Sequence, residues 1–188
     1  MISYTQRNAN AKLLATELYT SLERRGKTVW LDVKMDQLNQ AAMKEAAQNS
    51  GCIIAVISGV EREGDSEGTA YFKRPYCINE LRWARKAGVP IQPVIGRDDR
   101  DQIGTFIEQA PEDLKDLGEV DFLSMDCISP AIWDTCIDQV LRGVERTISS
   151  RLEPEPEPDF SESSDMDSDE SVEVSAADRV AAILGGAE

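Results

Sequence analysis

The chain has 188 residues, of which 35 are acidic and 20 basic, so its formal net charge is −15. This length allows one ordinary domain with an appendage, and the acidic balance argues against nucleic acids and anionic membrane surfaces as partners. Histidine is absent, which excludes Ser-His-Asp and Cys-His catalysis, a histidine general base and His-ligated zinc.

Most of the negative charge lies at the end of the chain. Residues 153–188 contain 12 acidic residues and one Arg, whereas residues 1–152 contain 23 acidic and 19 basic residues. We therefore expect a folded domain over residues 1–150 and a disordered acidic tail over 151–175 that is a candidate for binding a protein partner. Residues 176–188 follow a Ser175 N-cap and are expected to form a short helix, either docked or frayed.

The cysteines and the apolar runs bear on location. The four cysteines show no C-x-x-C spacing, which favours reduced thiols in the cytoplasm over a disulfide framework. The N-terminus lacks the pattern of a signal peptide. The longest apolar run, around residues 52–57, is too short to span a bilayer. We expect a cytoplasmic protein without a membrane segment.

Apolar runs typical of strands alternate along the chain with patterns of helical spacing. Pro90 and Pro93 suggest that the fourth of these strands is edge-like or irregular. The expected strands cover residues 1–4, 27–33, 51–58, 89–95 and 120–125, and the expected helices cover about 10–25, 38–48, 76–87 and 130–149, with a weak helix before the last strand.

This alternation predicts an α/β fold, a flavodoxin-like doubly wound five-stranded parallel sheet with helices on both faces. Such sheets bind ligands outside the carboxyl ends of their strands. The segments expected at that edge are residues 5–7, 32–35 and 58–75, together with the start of the helix that follows.

Glu80 stands out on that helix. On a helical wheel it falls within the apolar arc, together with Tyr76 and Trp83. One interpretation is a carboxylate that faces the ligand crevice. The alternatives are a carboxylate paired with Arg or Lys at the sheet edge, or a first-turn charge that suits the helix dipole.

Five segments in this order resemble a Toll/interleukin-1 receptor (TIR) domain over about residues 1–150. They are "ISY", "LERRGKTVWLD", "AAMKEAAQNSGCIIAVIS", "YCINEL" and "IQPV". The family implies the flavodoxin-like fold and contains two functional classes. One class acts as scaffolds that recruit other TIR domains, and the other cleaves NAD+ at the nicotinamide N-glycosidic bond.

The resemblance also implies roles for individual residues. The enzymatic class carries a glutamate in a C-x-x-E-like context, here Cys77 to Glu80, with an aromatic residue four positions earlier, here Tyr76. It also implies substrate contacts for several residues. Some of these have a structural interpretation as well: Arg7 and Lys34 as solvated charges, Asp32 as a turn cap and Trp83 as a core residue. The residues with an implied substrate contact are Gln6, Arg7, Asp32, Lys34, Tyr76 and Trp83.

The chemistry of NAD+ cleavage suits a site without histidine. Nicotinamide is cationic while bonded to the ribose and leaves as a neutral molecule, so no general acid is required. A single carboxylate can stabilise the oxocarbenium-like transition state, and we expect the helix N-terminus to keep Glu80 ionised. The resemblance, with which this chemistry is compatible, implies a self-associating NAD+ nucleosidase that makes ADP-ribose or a cyclic isomer, with NAD+ as substrate and no cofactor. The alternative is a non-enzymatic TIR scaffold.

Overall fold

The centre of the fold is a parallel β-sheet with helices on both faces. A computed structural model describes residues 1–34, 39–61, 67–126 and 129–152. In this part of the chain the sheet has four strands that lie side by side in chain order. They are β1 (Ile2–Ser3), β2 (Ile53–Ile57), β3 (Ile91–Gly96) and β4 (Leu123–Met125).

Five α-helices accompany these strands: α1 (Ala9–Arg24), α2 (Gln40–Asn49), α3 (Pro75–Lys86), α4 (Ile103–Glu108) and α5 (Pro130–Leu152). The Asn8 side chain caps α1 by accepting the Ala11 N–H at 2.9 Å. Gly26 and Gly88 follow α1 and α3 with φ values of 73° and 66°, a conformation that glycine adopts without strain.

Side chains of β2 divide the apolar core between the two faces of the sheet. Ile53, Ala55 and Ile57 pack into a cluster with side chains of α2, α3 and α4. Ile54 and Val56 point the other way, into a cluster with side chains of α1 and α5. All five residues of β2 are buried, as expected for a central parallel strand covered on both faces. The α/β architecture predicted from the sequence is confirmed.

The expected strand over residues 27–33 is not formed in the described chain, so the sheet there has four strands and not five. Residues 27–31 form no ladder, although the Ile2 N–H donates to the Trp30 carbonyl oxygen at 3.0 Å. The Asp32 carboxylate accepts the Val33 N–H at 2.6 Å and the chain turns there into a 3-10 helix, Asp32–Lys34. This turn ends the extended run beside a β1 strand that is itself only two residues long.

The prolines were expected to make β3 edge-like or irregular, and the edge position is wrong. β3 pairs with β2 on one side and with β4 on the other. The β4 ladder begins at Val94, directly after Pro93, so that ladder requires no N–H from the proline. The buried Gln92 amide donates to the Asp121 carbonyl oxygen at 2.9 Å and ties β3 to the segment before β4.

The described residues all belong to one compact unit of the chain, Met1–Pro154. Helix α5 extends to Leu152, slightly beyond the expected domain end at 150. The expected acidic tail past residue 152, the expected helix over 176–188, and residues 62–66 of the loop before α3 lie outside the described residues. In the part of the chain that the structure describes, no helix is both long and apolar enough to cross a membrane.

Candidate functional site

Glu80 lies on the face of α3 that packs against the sheet. The helix begins at Pro75, so Glu80 is in its second turn, and the expectation of a first-turn glutamate is wrong. The residue is only 5% exposed. Its Oε2 accepts a hydrogen bond from the Ser3 hydroxyl on β1 at 2.5 Å. The carboxyl group is therefore held inside the protein by a strand that lies 77 positions away in sequence.

A buried tyrosine extends this contact. The Ser3 Oγ lies 2.6 Å from the Tyr71 hydroxyl. Because Ser3 donates to Glu80, Tyr71 donates to Ser3. Tyr71 belongs to the 3-10 helix Tyr71–Lys73 and is fully buried. The result is a hydrogen-bonded chain from Tyr71 through Ser3 to Glu80.

The surroundings of Glu80 favour its neutral form. Burial raises the pKa of Glu80 to about 8, and the Asp32 charge adds to this shift. The Ser3 hydrogen bond and the Met1 ammonium group act in the opposite direction but do not cancel it. The expectation that the helix N-terminus keeps Glu80 ionised gains no support, because the carboxyl group is desolvated and lies one turn past the helix start.

Asp32 is the centre of a second network next to the first. Its Oδ1 accepts the Tyr4 hydroxyl at 2.8 Å, and its Oδ2 accepts the Gln6 side-chain amide. Burial and the Asp32 hydrogen bond raise the pKa of Tyr4. Asp32 also caps its own turn through the Val33 N–H. Two of the residues with an implied substrate contact, Gln6 and Asp32, are thus brought together.

The other residues with an implied substrate contact do not join these networks. Tyr76 is 52% exposed on the outer part of α3. Trp83 is half-buried and packs against the core beneath α3. Arg7 is exposed in the turn after β1, and the side chain of Lys34 lies outside the described part of the structure. Cys77 is buried, as a small apolar residue would be, and burial raises its pKa.

Sequence reasoning missed Ser3, the hydrogen-bonding partner of Glu80, and Tyr71, which is hydrogen-bonded to Ser3. In the first four residues, "MISY", the Ser3 side chain is polar and the others are apolar except for the Tyr4 hydroxyl. A polar residue in a strand expected to be buried was the available signal. Tyr71 follows a polar, glycine-containing segment, where no periodicity distinguishes a buried aromatic from an exposed one.

Two buried hydroxyls at the same edge have no hydrogen-bond partner. Thr5 follows β1 and Ser58 follows β2, and among the described residues the side-chain oxygens of both are buried and unsatisfied. Most buried polar groups in proteins are hydrogen-bonded. These two oxygens therefore mark the carboxyl edge of the sheet as a place where polar groups remain available.

Comparison with known proteins agrees with this architecture. A family model described as TIR domain matches residues 1–126, which is more than half of the chain. No curated protein matches the chain. TIR domains act in signalling and commonly associate with one another, and the family includes NAD+-hydrolysing enzymes. With its parallel sheet, its flanking helices and this match, the chain belongs to the TIR domain family.

Proposed function

We propose that this TIR domain is an NAD+ nucleosidase and that Glu80 is its catalytic carboxyl group. The observation that carries the proposal is the environment of Glu80. Among the described residues its partner is the Ser3 hydroxyl and no Arg or Lys pairs with it. The alternative of a structural ion pair at the sheet edge therefore loses support. A buried carboxyl group with a strongly shifted pKa is typical of functional sites.

The reaction would break the bond between the ribose C1′ and the nicotinamide nitrogen. The bonding electron pair leaves with nicotinamide, which becomes neutral, and water adds at C1′ with loss of a proton to give ADP-ribose. Attack by another atom of the same molecule gives a cyclic isomer instead. Because no proton has to be supplied to the leaving group, a site without a general acid is sufficient.

The raised pKa of Glu80 is compatible with this role. The nicotinamide ring is cationic before cleavage, and the ribose becomes cationic in the transition state. A positive charge beside a carboxyl group lowers its pKa, so substrate binding would convert the neutral Glu80 to the carboxylate. The carboxylate would then stabilise the oxocarbenium-like charge.

The roles proposed for the remaining residues follow their positions. Gln6 and Asp32 are hydrogen-bonded to each other, and the Asp32 charge is close enough to Glu80 to raise its pKa. Both residues are therefore suited to ribose contacts. Arg7 is exposed and suited to the pyrophosphate, and Lys34 is proposed for the same task. For Tyr76 and Trp83, which lie on α3 outside the two networks, the proposed nicotinamide contact rests on the family resemblance. We propose NAD+ as substrate with no cofactor, and a cytoplasmic location.

A non-enzymatic scaffold is the second candidate. Val33, Val60 and Tyr76 are large apolar side chains that are exposed. Contact with another TIR domain would cover such residues. Self-association fits both candidates, since in the enzymatic class assembly often completes the active site. The acidic tail is proposed to bind a protein partner in either case.

The two candidates differ in their response to NAD+. The full chain would be incubated with NAD+ over a wide range of protein concentrations, with nicotinamide measured by chromatography and assembly measured by light scattering. We expect nicotinamide release that rises more steeply than protein concentration. Assembly without nicotinamide at any concentration would contradict the enzyme and support the scaffold.

A further inference from the structure

A cavity of about 680 Å³ lies at the carboxyl ends of β2, β3 and β4, between α1 and α5. It is on the opposite face of the sheet from α3, which carries Glu80. A volume of a few hundred Å³ is typical of sites for small organic molecules. The cavity is therefore large enough for a ligand of its own, separate from the proposed NAD+ site.

The walls of the cavity are mainly apolar. Leu14 of α1 and Val56 of β2 contribute side chains from the core cluster on this face. Trp133 of α5 closes one side, and its indole N–H donates to the Ser21 hydroxyl at 2.8 Å. Because this hydrogen bond fixes the indole ring, Trp133 offers a rigid aromatic surface to a ligand.

Acidic side chains gather at the rim. The lining includes Glu17, Asp98, Asp99 and Asp126, with Arg97 as its cation. The Arg97 guanidinium lies 3.4 Å from a carboxylate oxygen of Asp126 and 3.4 Å from a carboxylate oxygen of Asp98. Within the described chain Asp99 has no such ion pair although it is half-buried, and burial and the neighbouring Asp98 raise its pKa. A cation beside Asp99 would stabilise its ionised form and so offset the unfavourable effects of burial and of the Asp98 charge.

Ser58 provides an independent indication of a ligand. It lines the same cavity at the end of β2 and is 6% exposed. Its hydroxyl oxygen is buried without a hydrogen-bond partner among the described residues. Leaving such a group unsatisfied is unfavourable, and rotation of the Ser58 side chain toward a polar atom of a bound molecule would satisfy it.

We propose that this cavity binds a small organic cation with a flat apolar body, such as an aromatic amine. The ammonium group would contact Asp99 and the other rim carboxylates. The ring would pack against Trp133, with which a cation also interacts favourably. A polar ring atom would form a hydrogen bond with the Ser58 hydroxyl after rotation of that side chain toward the cavity. This site is independent of NAD+ cleavage, so either proposal can fail without the other.

Isothermal titration of the full chain with three probes tests the ligand chemistry. Tryptamine carries an indole ring and a positive charge, indole-3-propionate carries the same ring and a negative charge, and spermidine carries positive charge without a ring. We expect tryptamine to bind at least about tenfold more tightly than either of the others. Equal binding of the two indoles, or no tryptamine binding at millimolar concentration, would overturn the proposal.

Substitutions test the location. Asp99→Asn is expected to weaken tryptamine binding about tenfold, and Ser58→Ala about threefold. Asp113→Asn removes the same charge from the opposite face, where Asp113 pairs with Arg82, and should leave binding unchanged. Glu17→Gln, on α1 at the rim, provides a second charge removal, and its effect should have the same direction as that of Asp99→Asn. Unchanged binding in both rim variants would place the probe elsewhere and overturn the proposal.

Discussion

Glu80 links stability to pH because its carboxyl group is protonated more readily when folded than when unfolded. Burial raises its pKa from an ordinary value of 4.5 to about 8. Between these values the unfolded chain has released the proton that the folded chain retains, so the free energy of unfolding falls as pH rises. The contribution is complete below pH 4.5 and is lost as pH rises through about 8.

Glu80→Gln should remove this dependence, since the amide does not titrate. We expect the stability of the wild type relative to Glu80→Gln to fall between about pH 4.5 and 8, with a slope of up to ~1.4 kcal/mol per pH unit. Urea unfolding at a series of pH values measures it. Glu45→Gln, at an exposed position of α2, is the charge-matched control. A flat difference for Glu80→Gln would show that the carboxyl group is ionised at all these pH values.

The position of Glu80 on the sheet-facing side of its helix follows from the period of the sequence. The hydrogen-bonded chain that reaches Glu80 does not, because Ser3 lies 77 positions away in sequence and Tyr71, which bonds to Ser3, comes from a third segment. The protonation state of Glu80 could not be predicted either. Desolvation depends on how tightly the helix, the strand and the 3-10 turn pack, and a helical wheel carries no such information.

At the scale of elements, α5 packs closely against the sheet at Gly143. A Cβ atom at that position would lie 2.6 Å from the Gln92 Oε1 and 2.9 Å from a Leu123 methyl carbon. The Gln92 amide is held by its bonds to the Asp121 and Pro93 carbonyl oxygens, so it cannot move aside without losing them.

Gly143→Ala should therefore destabilise the protein, although alanine favours a helix. We expect overpacking to cost about 1–3 kcal/mol, against a gain in helix propensity of about 1 kcal/mol. Thermal unfolding should show a lower Tm. In the control Gly104→Ala, on α4, nothing lies within 4 Å of the new Cβ, and the Tm should be unchanged or higher. A higher Tm for Gly143→Ala would contradict the close packing described.

The order of helices and strands was predictable where periodicity is strong, as in α1 and the fully apolar β2. Prediction failed where tertiary contacts determine whether a segment forms a strand and where that strand lies in the sheet. Residues 27–33 have the composition of a strand, yet the Asp32 turn ends their extended run. Pro93 is compatible with an internal strand because Gln92 supplies a side-chain link beside it. Neither effect is visible in local sequence.

At the scale of the whole molecule, charge is distributed unevenly: acidic and basic residues are nearly balanced in the domain, and the charged residues after it are mostly acidic. Residues 153–188 carry 12 acidic residues and one Arg, a composition that favours solvation over core formation. We predict that ending the chain after Leu152 leaves the Tm of the TIR domain within about 2 °C of the full chain. Calorimetry on both proteins measures this. A fall of more than about 5 °C would show that the acidic end stabilises the domain.

The most direct test of the central claim is nicotinamide release from NAD+ by the full chain and by Glu80→Gln, at the highest protein concentration at which both stay soluble. Glu45→Gln serves as the charge-matched control. If Glu80 is the catalytic carboxyl group, the wild type and Glu45→Gln should release nicotinamide at equal rates, and Glu80→Gln should be at least about 100-fold slower. Equal rates for Glu80→Gln and the wild type would contradict the assignment.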